Sequence, residues 1–444
     1  MENNSKLGKS LLLNILLFGF MGQVAWAVEN NFFNLFLFNE IGGDSVDISN
    51  MVAASSVVAV LTTLFMGSLS DKLNKRKIFI SGGYIVWGIT VMAFAFISPE
   101  KTASIIGTTP EAAIPATIMI VIVMDCIMTF MGSTSNDAAF NAWITDITSV
   151  SNRAKTESIL ALLPVAALLI VTVAFGTLSG KFGYPACFIG LGLLVTVCGI
   201  IGLFSIKDSR TGVKSSNSFI ECLTYGFRPS VIKSNKGLYL SLICMGIFSV
   251  ASQIFFPYLF IYVQHYVDLS TFKLSVPVIV IAAAVVIGAV VGIIKVGALI
   301  DKMGKANFVF PAALLFVIGL VLVYFADKNV IFFALSAIIA LAGYGLLMII
   351  LNAAIRDFTP EDKAGQLQGV RMIFAVMLPM IIGPRVAAKI TDVFATAQYQ
   401  NEYGIMVNIP APHIYLGAAV AAAFIIIPLV FLRKVWQNNN ATEK

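Results

Sequence analysis

Apolar runs of about 20 residues or more recur along the whole chain, separated by shorter polar segments. A bilayer core of about 30 Å needs about 20 apolar residues in a helix, whereas barrel strands alternate apolar and polar positions. The pattern therefore predicts twelve transmembrane helices, near residues 11–38, 48–70, 77–97, 114–146, 154–180, 184–206, 237–265, 273–300, 306–326, 329–357, 365–392 and 412–433.

Composition supports a membrane protein. The 444 residues are 58% hydrophobic and 12% charged, with a mean hydropathy of +0.91, whereas a soluble domain carries roughly 25% charged residues. The five cysteines show no ligand spacing, and neither His265 nor His413 lies in a metal-ligand pattern. Since a phosphate loop is also missing, we expect no metal, no cofactor other than a coupling cation, and no enzymatic activity.

Basic residues concentrate in alternate loops. With a cytoplasmic N-terminus, 23 of the 29 Lys and Arg residues lie on the cytoplasmic side, as the positive-inside rule requires. We therefore expect cytoplasmic termini in the plasma membrane, and the net charge of +6 needs no nucleic-acid partner. Ala25-Trp26-Ala27 also fits a signal cleavage site, but the apolar run continues to about Phe38 and favours a retained helix.

The longest polar interruption divides the chain into two six-helix halves. The predicted units are an N-terminal bundle (1–206), a cytoplasmic linker (207–236) and a C-terminal bundle (237–444). Within the linker, the apolar segment Phe219 to Tyr225 predicts a short amphipathic helix along the membrane interface.

Short motifs repeat across the two halves. Gly67-Ser-Leu-Ser-Asp71-Lys after predicted helix 2 matches Gly297-Ala-Leu-Ile-Asp301-Lys after predicted helix 8. Asn141-Ala-Trp-Ile-Thr-Asp146 at the end of helix 4 matches Asn352-Ala-Ala-Ile-Arg-Asp357 at the end of helix 10. Parallel six-helix repeats predict a transporter whose binding site lies between the halves near mid-membrane.

These motifs resemble those of a known family. The paired Gly-x-x-x-Asp-Lys turns resemble the signature loop of the major facilitator superfamily, and Pro360-Glu361-Asp362-Lys363 is similar to the Pro-Glu-Thr-Lys motif of its sugar porters. Asn136-Asp137-Ala-Ala-Phe-Asn141 and Gln368-Gly-Val-Arg371 resemble the glycoside-pentoside-hexuronide cation symporter group. The resemblance implies an all-α membrane protein with twelve transmembrane helices in two pseudo-symmetric six-helix bundles. We expect it to be a monomer.

The charged turns at the predicted cytoplasmic helix ends suit a gate. An aspartate can face the positive end of another helix, and an arginine can bind carboxylates of neighbouring helices. The alternative is that these charges only cap helices and anchor loops. The gate candidates are Gly67, Asp71, Arg76, Asp146, Arg153, Gly297, Asp301, Asp357, Glu361 and Arg371.

Polar side chains inside predicted helices 1, 4, 7 and 10 are the candidates for binding substrate. An ionisable group at mid-bilayer costs at least about 2.5 kcal/mol and usually faces a cavity. Asp125 lies near the membrane centre and shares one face of helix 4 with Thr129 and Asn136, at about 100° per residue. For each Asn or Gln, interhelical hydrogen bonding is the alternative role. The substrate-binding candidates are Gln23, Trp26, Asn30, Asn34, Asp125, Thr129, Asn136, Gln253, Tyr258, Tyr344 and Asn352.

Amide and carboxyl oxygens accept hydroxyl protons, and aromatic rings stack on the apolar face of a sugar. In the resembled symporter group, acids on helices 1 and 4 contact the sugar, which implies that role for Glu29 and Asp125. A carboxylate can also bind a proton or sodium, so Glu29 and Asp125 are the candidates for cation coupling. Acids on helix 2 help that group to bind sodium, but residues 48–70 contain none. We predict symport of a sugar or glycoside, coupled to a proton rather than sodium, by alternating access. The alternatives are a proton-coupled drug or metabolite antiporter and a transporter-like sensor.

Overall fold

The computed structural model describes residues 9–73, 75–148, 150–208, 220, 224–268, 288, 292, 304–360 and 363–442. Helices form most of this part of the chain. Numbered as predicted above, they are helix 1 (Lys9–Ile41), helix 2 (Ser45–Leu73), helix 3 (Arg76–Phe96), helix 4 (Pro110–Ile147), helices 5 and 6 (together Val150–Ser205), helix 7 (Lys236–Val267), helix 9 (Lys305–Ala326), helix 10 (Val330–Phe358), helix 11 (Gln366–Phe394) and helix 12 (His413–Gln437).

Every predicted membrane helix that falls on described residues is present, with ends within a few residues of those expected. Apart from residues 288 and 292, predicted helix 8, residues 273–300, lies outside the described residues. Two connections contain elements that hydropathy does not reveal. A short helix, Pro99–Ile106, is capped by the Ser98 hydroxyl, and an antiparallel hairpin of β1 (Gln398–Gln400) and β2 (Met406–Asn408) precedes helix 12.

Helices 5 and 6 follow one another without a loop. The chain turns between them at Gly183, where φ is 76° and ψ is 165°. Glycine adopts this positive φ readily because it has no Cβ. Two membrane crossings therefore fit into one continuous stretch of sequence.

The chain divides into two compact units. The first contains Met1–Gly43 and Ala54–Glu221, and the second contains Asp44–Ala53 and Cys222–Lys444. The first turns of helix 2 thus group with the second unit. There the Tyr258 hydroxyl lies 2.8 Å from the backbone oxygen of Ser45 and 3.0 Å from that of Pro384.

Aromatic rings and close backbone contacts hold the first unit together. The ring of Phe33 on helix 1 lies 4.3 Å from that of Phe94 and 5.1 Å from that of Phe188. Helices 3 and 6 approach so closely that a Cβ added to Gly192 would lie 2.4 Å from the Gly88 oxygen. These contacts position helix 1 firmly against its neighbours.

The second unit has a core of the same kind. The ring of Phe248 on helix 7 packs 5.5 Å from that of Phe316 on helix 9 and 5.0 Å from that of Tyr344 on helix 10. Helices 9 and 10 are also in near-backbone contact, because a Cβ on Gly319 would lie 2.3 Å from the Ala340 nitrogen.

Beside its apolar core, the chain exposes large apolar side chains and buries polar ones, unlike a soluble protein. Large apolar side chains such as Ile78, Ile331 and Ile427 are more than half exposed, while Asn34 and Asp125 are only 2% exposed. In water, apolar residues would be buried and carboxylates would face solvent. The chain is therefore a multi-pass membrane protein whose helices present apolar faces to lipid.

The amphipathic helix predicted at Phe219 to Tyr225 lies mostly outside the described residues. The linker beyond it forms a turn at Tyr225–Phe227 and a short helix at Pro229–Ser234. The Tyr239 hydroxyl donates to the Gly226 oxygen, and the Arg228 and Lys363 side chains lie over the Tyr225 ring. These contacts anchor the end of the linker to helices of the second unit.

Candidate functional site

Helices 1 and 4 run antiparallel in the first unit and meet in a buried seam with a regular register. This close approach depends on glycine, because a Cβ added to Gly22 would lie 2.2 Å from the Nδ2 atom of Asn136. The contacting pairs that define the seam are Glu29 with Thr129, Trp26 with Gly132, Gly22 with Asn136, and Gly19 with Phe140.

Two carboxyls of this seam each have an oxygen without a partner. Thr129 donates to Glu29 Oε1 at 2.8 Å, whereas Glu29 Oε2 has no hydrogen-bond partner in the described part of the chain. Asp125 interacts with the Ser55 hydroxyl of helix 2, and its Oδ1 is also unpaired among the described residues. No ion pair between described residues involves either carboxyl. These oxygens are therefore available to a ligand hydroxyl or a cation.

A third carboxyl, Asp137, belongs to the same seam, although the sequence interpretation gave it no role. The Ser133 hydroxyl donates to Asp137 Oδ2 at 3.0 Å. The carboxyl also lies beside the Trp26 indole and within electrostatic range of Glu29. In the sequence, only its place in the Asn136-Asp137 motif could have indicated a functional role for Asp137.

The helix geometry explains why Asp137 was missed. At about 100° per residue, Asp137 points about 120° away from Asp125. The segment Ser133–Phe140 is π-helical. Its wider turns rotate Asp137 back towards the face of helix 4 that carries Asp125 and Thr129. Helix 1 has a π-helical segment as well, Glu29–Phe33, at the level where Glu29 meets helix 4.

Helix 3 borders the seam with polar and aromatic side chains. Asn136 Nδ2 donates to the Tyr84 hydroxyl at 2.8 Å, and Tyr84 donates to the Phe18 oxygen at 2.6 Å. The Trp87 ring packs 5.1 Å from the Trp26 ring, and the Trp87 indole N–H is buried without a partner among the described residues, whereas the Trp26 indole faces the Asp137 carboxyl. A buried polar group without a hydrogen bond costs about 1–3 kcal/mol. The seam thus combines an unpaired donor with unpaired acceptors, as a binding site for a polar solute requires.

The amides predicted on helix 1 are less involved. Gln23 is half-buried, and Asn30 is exposed with its Nδ2 donating to the Trp26 oxygen at 2.8 Å. Asn34 is buried and donates to the Asn30 oxygen at 2.9 Å. On helix 1 it is Glu29, and none of these three amides, that accepts the hydrogen bond from Thr129 of helix 4.

The candidates of the second unit lie in different surroundings. Tyr344 is half-buried in a ring cluster, 5.4 Å from Phe256 between ring centroids, and Gln253 packs against Gly383. The Tyr258 hydroxyl is engaged with backbone oxygens, as described above. Asn352 Oδ1 accepts from Arg371 Nη2 at 3.4 Å. This unit therefore contributes mainly aromatic surface, with one amide–guanidinium contact.

Several gate candidates of the first unit converge on Arg76. Its Nε donates to Asp146 at 3.0 Å, its Nη1 donates to Ser70 at 2.6 Å, and its Nη2 pairs with Asp71. Gly67 lies one turn before Ser70, which donates to its oxygen at 3.0 Å. A guanidinium can bind two carboxylates at once because its donors form a planar fork.

The second unit has a simpler counterpart. Lys305 at the start of helix 9 pairs with Asp357 at the end of helix 10, as Arg76 at the start of helix 3 pairs with Asp146 at the end of helix 4. Hydropathy and motif matching had not identified Lys305. The Arg153 side chain, Gly297, Asp301 and Glu361 are gate candidates that lie outside what the structure describes.

No cluster of three or more His, Cys, Asp or Glu side chains with metal-binding geometry occurs among the described residues. The unpaired oxygens of Glu29 and Asp125, with the hydroxyls of Ser55 and Thr129, are the groups best placed to take up a proton or a single hard cation.

Comparison with family models settles the class of protein. The model of the Major Facilitator Superfamily matches residues 15–384. The chain belongs to the major facilitator superfamily. The predicted fold is thereby confirmed, and the chain is a member of a transporter family rather than of an enzyme family. A comparison with curated protein sequences finds no match.

Solved structures of transporters share the fold over nearly the whole chain. The nucleoside transporter NupG matches with a TM-score of 0.66 and 14% identity, covering 95% of this chain and 98% of NupG. A bacterial homologue of the human lysosomal transporter Spinster, in an inward-facing and unoccupied conformation, matches with a TM-score of 0.65 and 12% identity, covering 97% and 98%. At such identities the likeness is one of fold alone.

Proposed function

We propose that this superfamily member is a secondary active symporter that carries a neutral hydroxylated solute, a sugar or glycoside, together with a proton. It acts as a monomer in the plasma membrane by alternating access. The observation that carries the proposal is the pair of buried carboxyls, Glu29 and Asp125, each with an unpaired oxygen and no ion-pair partner among the described residues.

Proton coupling follows from the cost of charge in a membrane. No Lys or Arg occurs at residues 10–71 or 102–152, which include helix 4 and all of helix 1 after its first residue, Lys9. A carboxylate buried in the interior of either helix has no basic residue near it on its own helix, and protonation removes the cost of its charge. A proton and a hydroxylated solute that use the same carboxyls can therefore favour each other's binding.

Sodium is the less favoured coupling ion. Helix 2 extends beyond the predicted residues 48–70 and includes Asp47 and Asp71 near its ends, but its interior has no acid. Asp47 accepts from the Asp44 backbone nitrogen at 3.0 Å and so caps the start of the helix. Asp71 pairs with Arg76. Neither carboxylate is left free to complete an oxygen cage around a sodium ion.

The solute class follows from the groups of the seam. Carboxyl oxygens accept hydroxyl protons, the indole N–H group of Trp87 donates, and aromatic rings pack on the apolar face of a pyranose. The carboxyls disfavour an anionic solute such as a uronate. A sugar or glycoside without a charge satisfies all of these groups.

A nucleoside is the second candidate solute. The second unit carries an aromatic cluster of Phe248, Phe256, Phe316 and Tyr344, and such rings stack on a nucleobase. The structurally similar NupG is a nucleoside transporter, which gives this candidate further support.

Counterflow in proteoliposomes tests the proposal. Purified protein is loaded with unlabelled sugars, glycosides or nucleosides, and entry of the labelled solute is followed; a pH gradient or a sodium gradient is then imposed on the solute that exchanges. We expect exchange of a sugar or glycoside, and accumulation driven by the pH gradient. Accumulation driven by sodium alone would overturn proton coupling. Efflux of cationic dyes indicates the antiporter instead, and binding without exchange indicates the sensor.

A further inference from the structure

Three carboxyls lie at successive levels of the seam between helices 1 and 4. Because Glu29 pairs with Thr129, the register places Asp125 about 6 Å to one side of Glu29 along the helix axis and Asp137 about 12 Å to the other. Asp137 lies towards the end of helix 4 that carries Asp146, which the positive-inside pattern assigns to the cytoplasm. The carboxyls thus form a series from mid-membrane towards the predicted cytoplasmic side.

The surroundings of Asp137 contain acids and neutral donors. Glu29 on helix 1 and Tyr84 on helix 3 lie within electrostatic range of it, and Asp125 and Cys126 on helix 4 lie within range of Glu29. No ion pair among the described residues neutralises Asp137. Independently, the fully buried Trp87 has an unpaired indole N–H beside Trp26. The seam is therefore an incomplete polar site rather than a closed structural network.

We propose that Asp137 is the inner proton site of this transporter, which receives the coupling proton from Glu29 and releases it towards the cytoplasmic side. In this step the O–H bond of the Glu29 carboxyl breaks and one forms on the Asp137 carboxylate, with the proton passed along a chain of intervening waters. The negative charge moves from Asp137 to Glu29. The inference rests on the proposed proton coupling and extends it to a residue that does not need to contact the solute.

Two features of the structure bear on the two steps. Like charges on Glu29 and Asp137 repel each other where no described basic side chain offsets them, so the pair tends to share one proton. The Ser133 hydroxyl donates to Asp137 and stabilises its ionised form, which favours the second step, release of the proton from Asp137.

The first test needs no substrate. Infrared spectra of the purified protein between pH 4 and 9 report the C=O stretch of protonated carboxyls, and Glu29→Gln identifies the Glu29 band. We expect Asp137→Asn to shift the titration midpoint of the Glu29 band by about one pH unit, a tenfold change in proton affinity. Glu111→Gln, at the exposed start of helix 4, leaves it unchanged. A Glu29 band that titrates identically with and without Asp137 would overturn the inference.

The second test uses whichever sugar, glycoside or nucleoside exchanges in wild-type counterflow. Asp137→Asn should retain exchange and lose accumulation in a pH gradient, while Asp137→Glu restores accumulation, because a packing role would not need a carboxyl. Accumulation equal to wild type in Asp137→Asn would contradict the inference. If Asp137→Asn does not fold, Ser133→Ala, which removes only the hydroxyl, should shift the pH profile of uptake, and an unchanged profile counts against the role of Asp137. If wild-type protein exchanges no solute, the proposed function fails, whereas the infrared test still decides whether Asp137 and Glu29 share a proton.

Discussion

The two units are built on the same repeat, but only the first carries acids inside its membrane helices. Helices 1 and 4 hold Glu29, Asp125 and Asp137, whereas the corresponding helices 7 and 10 contain no Asp or Glu before Asp357 at their predicted cytoplasmic end. Helices 7 and 10 carry rings instead, such as Phe248 and Tyr344. The carboxyls that the proposed proton coupling uses therefore belong to one of the two bundles.

The charged contacts at the predicted cytoplasmic helix ends also differ between the two units. In the first unit Arg76 is 9% exposed and binds two carboxylates and a hydroxyl, while in the second unit Lys305 binds Asp357, whose side chain is 49% exposed. Arginine tolerates burial between two carboxylates because its charge is spread over a planar fork, whereas an ammonium is compact and strongly hydrated. The contacts of Arg76 should therefore be stronger than the Lys305–Asp357 pair.

The largest expected effect is loss of coupling when a carboxyl of the first unit is neutralised. Asp125→Asn or Glu29→Gln should lower accumulation in a pH gradient by about 10- to 100-fold, the usual range of coupling between two ligands. Gln253→Leu in the second unit should change solute affinity but keep the pH dependence. Uptake into proteoliposomes measures both, and unaltered accumulation by Asp125→Asn would remove the distinction between the units.

The next effect compares the stability that the Arg76 contacts and the Lys305–Asp357 pair each provide. Arg76→Ala leaves Asp71 and Asp146 without their partner and should destabilise the protein by about 3 kcal/mol. Lys305→Ala breaks a more exposed pair and should cost less than about 1 kcal/mol. Thermal unfolding in detergent compares the two variants. Labelling of cysteines on the predicted cytoplasmic side should also change in Asp71→Asn, and unchanged labelling would leave Asp71 with a capping role only.

One glycine from each unit tests how tightly the helices pack. A Cβ at Gly22 on helix 1 meets Asn136 at 2.2 Å, whereas a Cβ at Gly246 on helix 7 lies 3.4 Å from its nearest neighbour, the Phe374 oxygen. Gly22→Ala should therefore cost about 1–3 kcal/mol of stability, and Gly246→Ala much less. Similar melting temperatures for the two variants would show that the seam of helices 1 and 4 is not the tighter one.

The smallest effect concerns two tyrosine hydroxyls. Tyr84→Phe removes the acceptor for Asn136 and the donor to the Phe18 oxygen, and should cost about 1–2 kcal/mol. Tyr344→Phe keeps the ring contacts and should leave stability nearly unchanged. Melting curves of the single variants measure the difference, and an equal loss in both would mean that Tyr344 also relies on its hydroxyl.

Much of the fold could be predicted from hydropathy because lipid requires long apolar helices, and the motifs at Asp71 and Asp146 identified the superfamily. The site was predicted in part. Glu29, Asp125 and Thr129 were recognised as polar residues in apolar helices, but their contacts depend on the pairing of helices 1 and 4, which no local pattern specifies. Asp137 was missed because α-helical periodicity does not hold through the π-helical segment Ser133–Phe140.

The sequence by itself determined how many helices span the membrane, their predicted orientation and the concentration of acids in the first half, because these follow from composition and order along the chain. Tertiary structure alone decided which side chains meet. It brought Arg76 to Asp146 across 70 residues, placed Glu29 against Thr129 across 100, and grouped the first turns of helix 2 with the second unit. Such long-range contacts depend on helix packing and on local π-helical turns, which hydropathy does not encode.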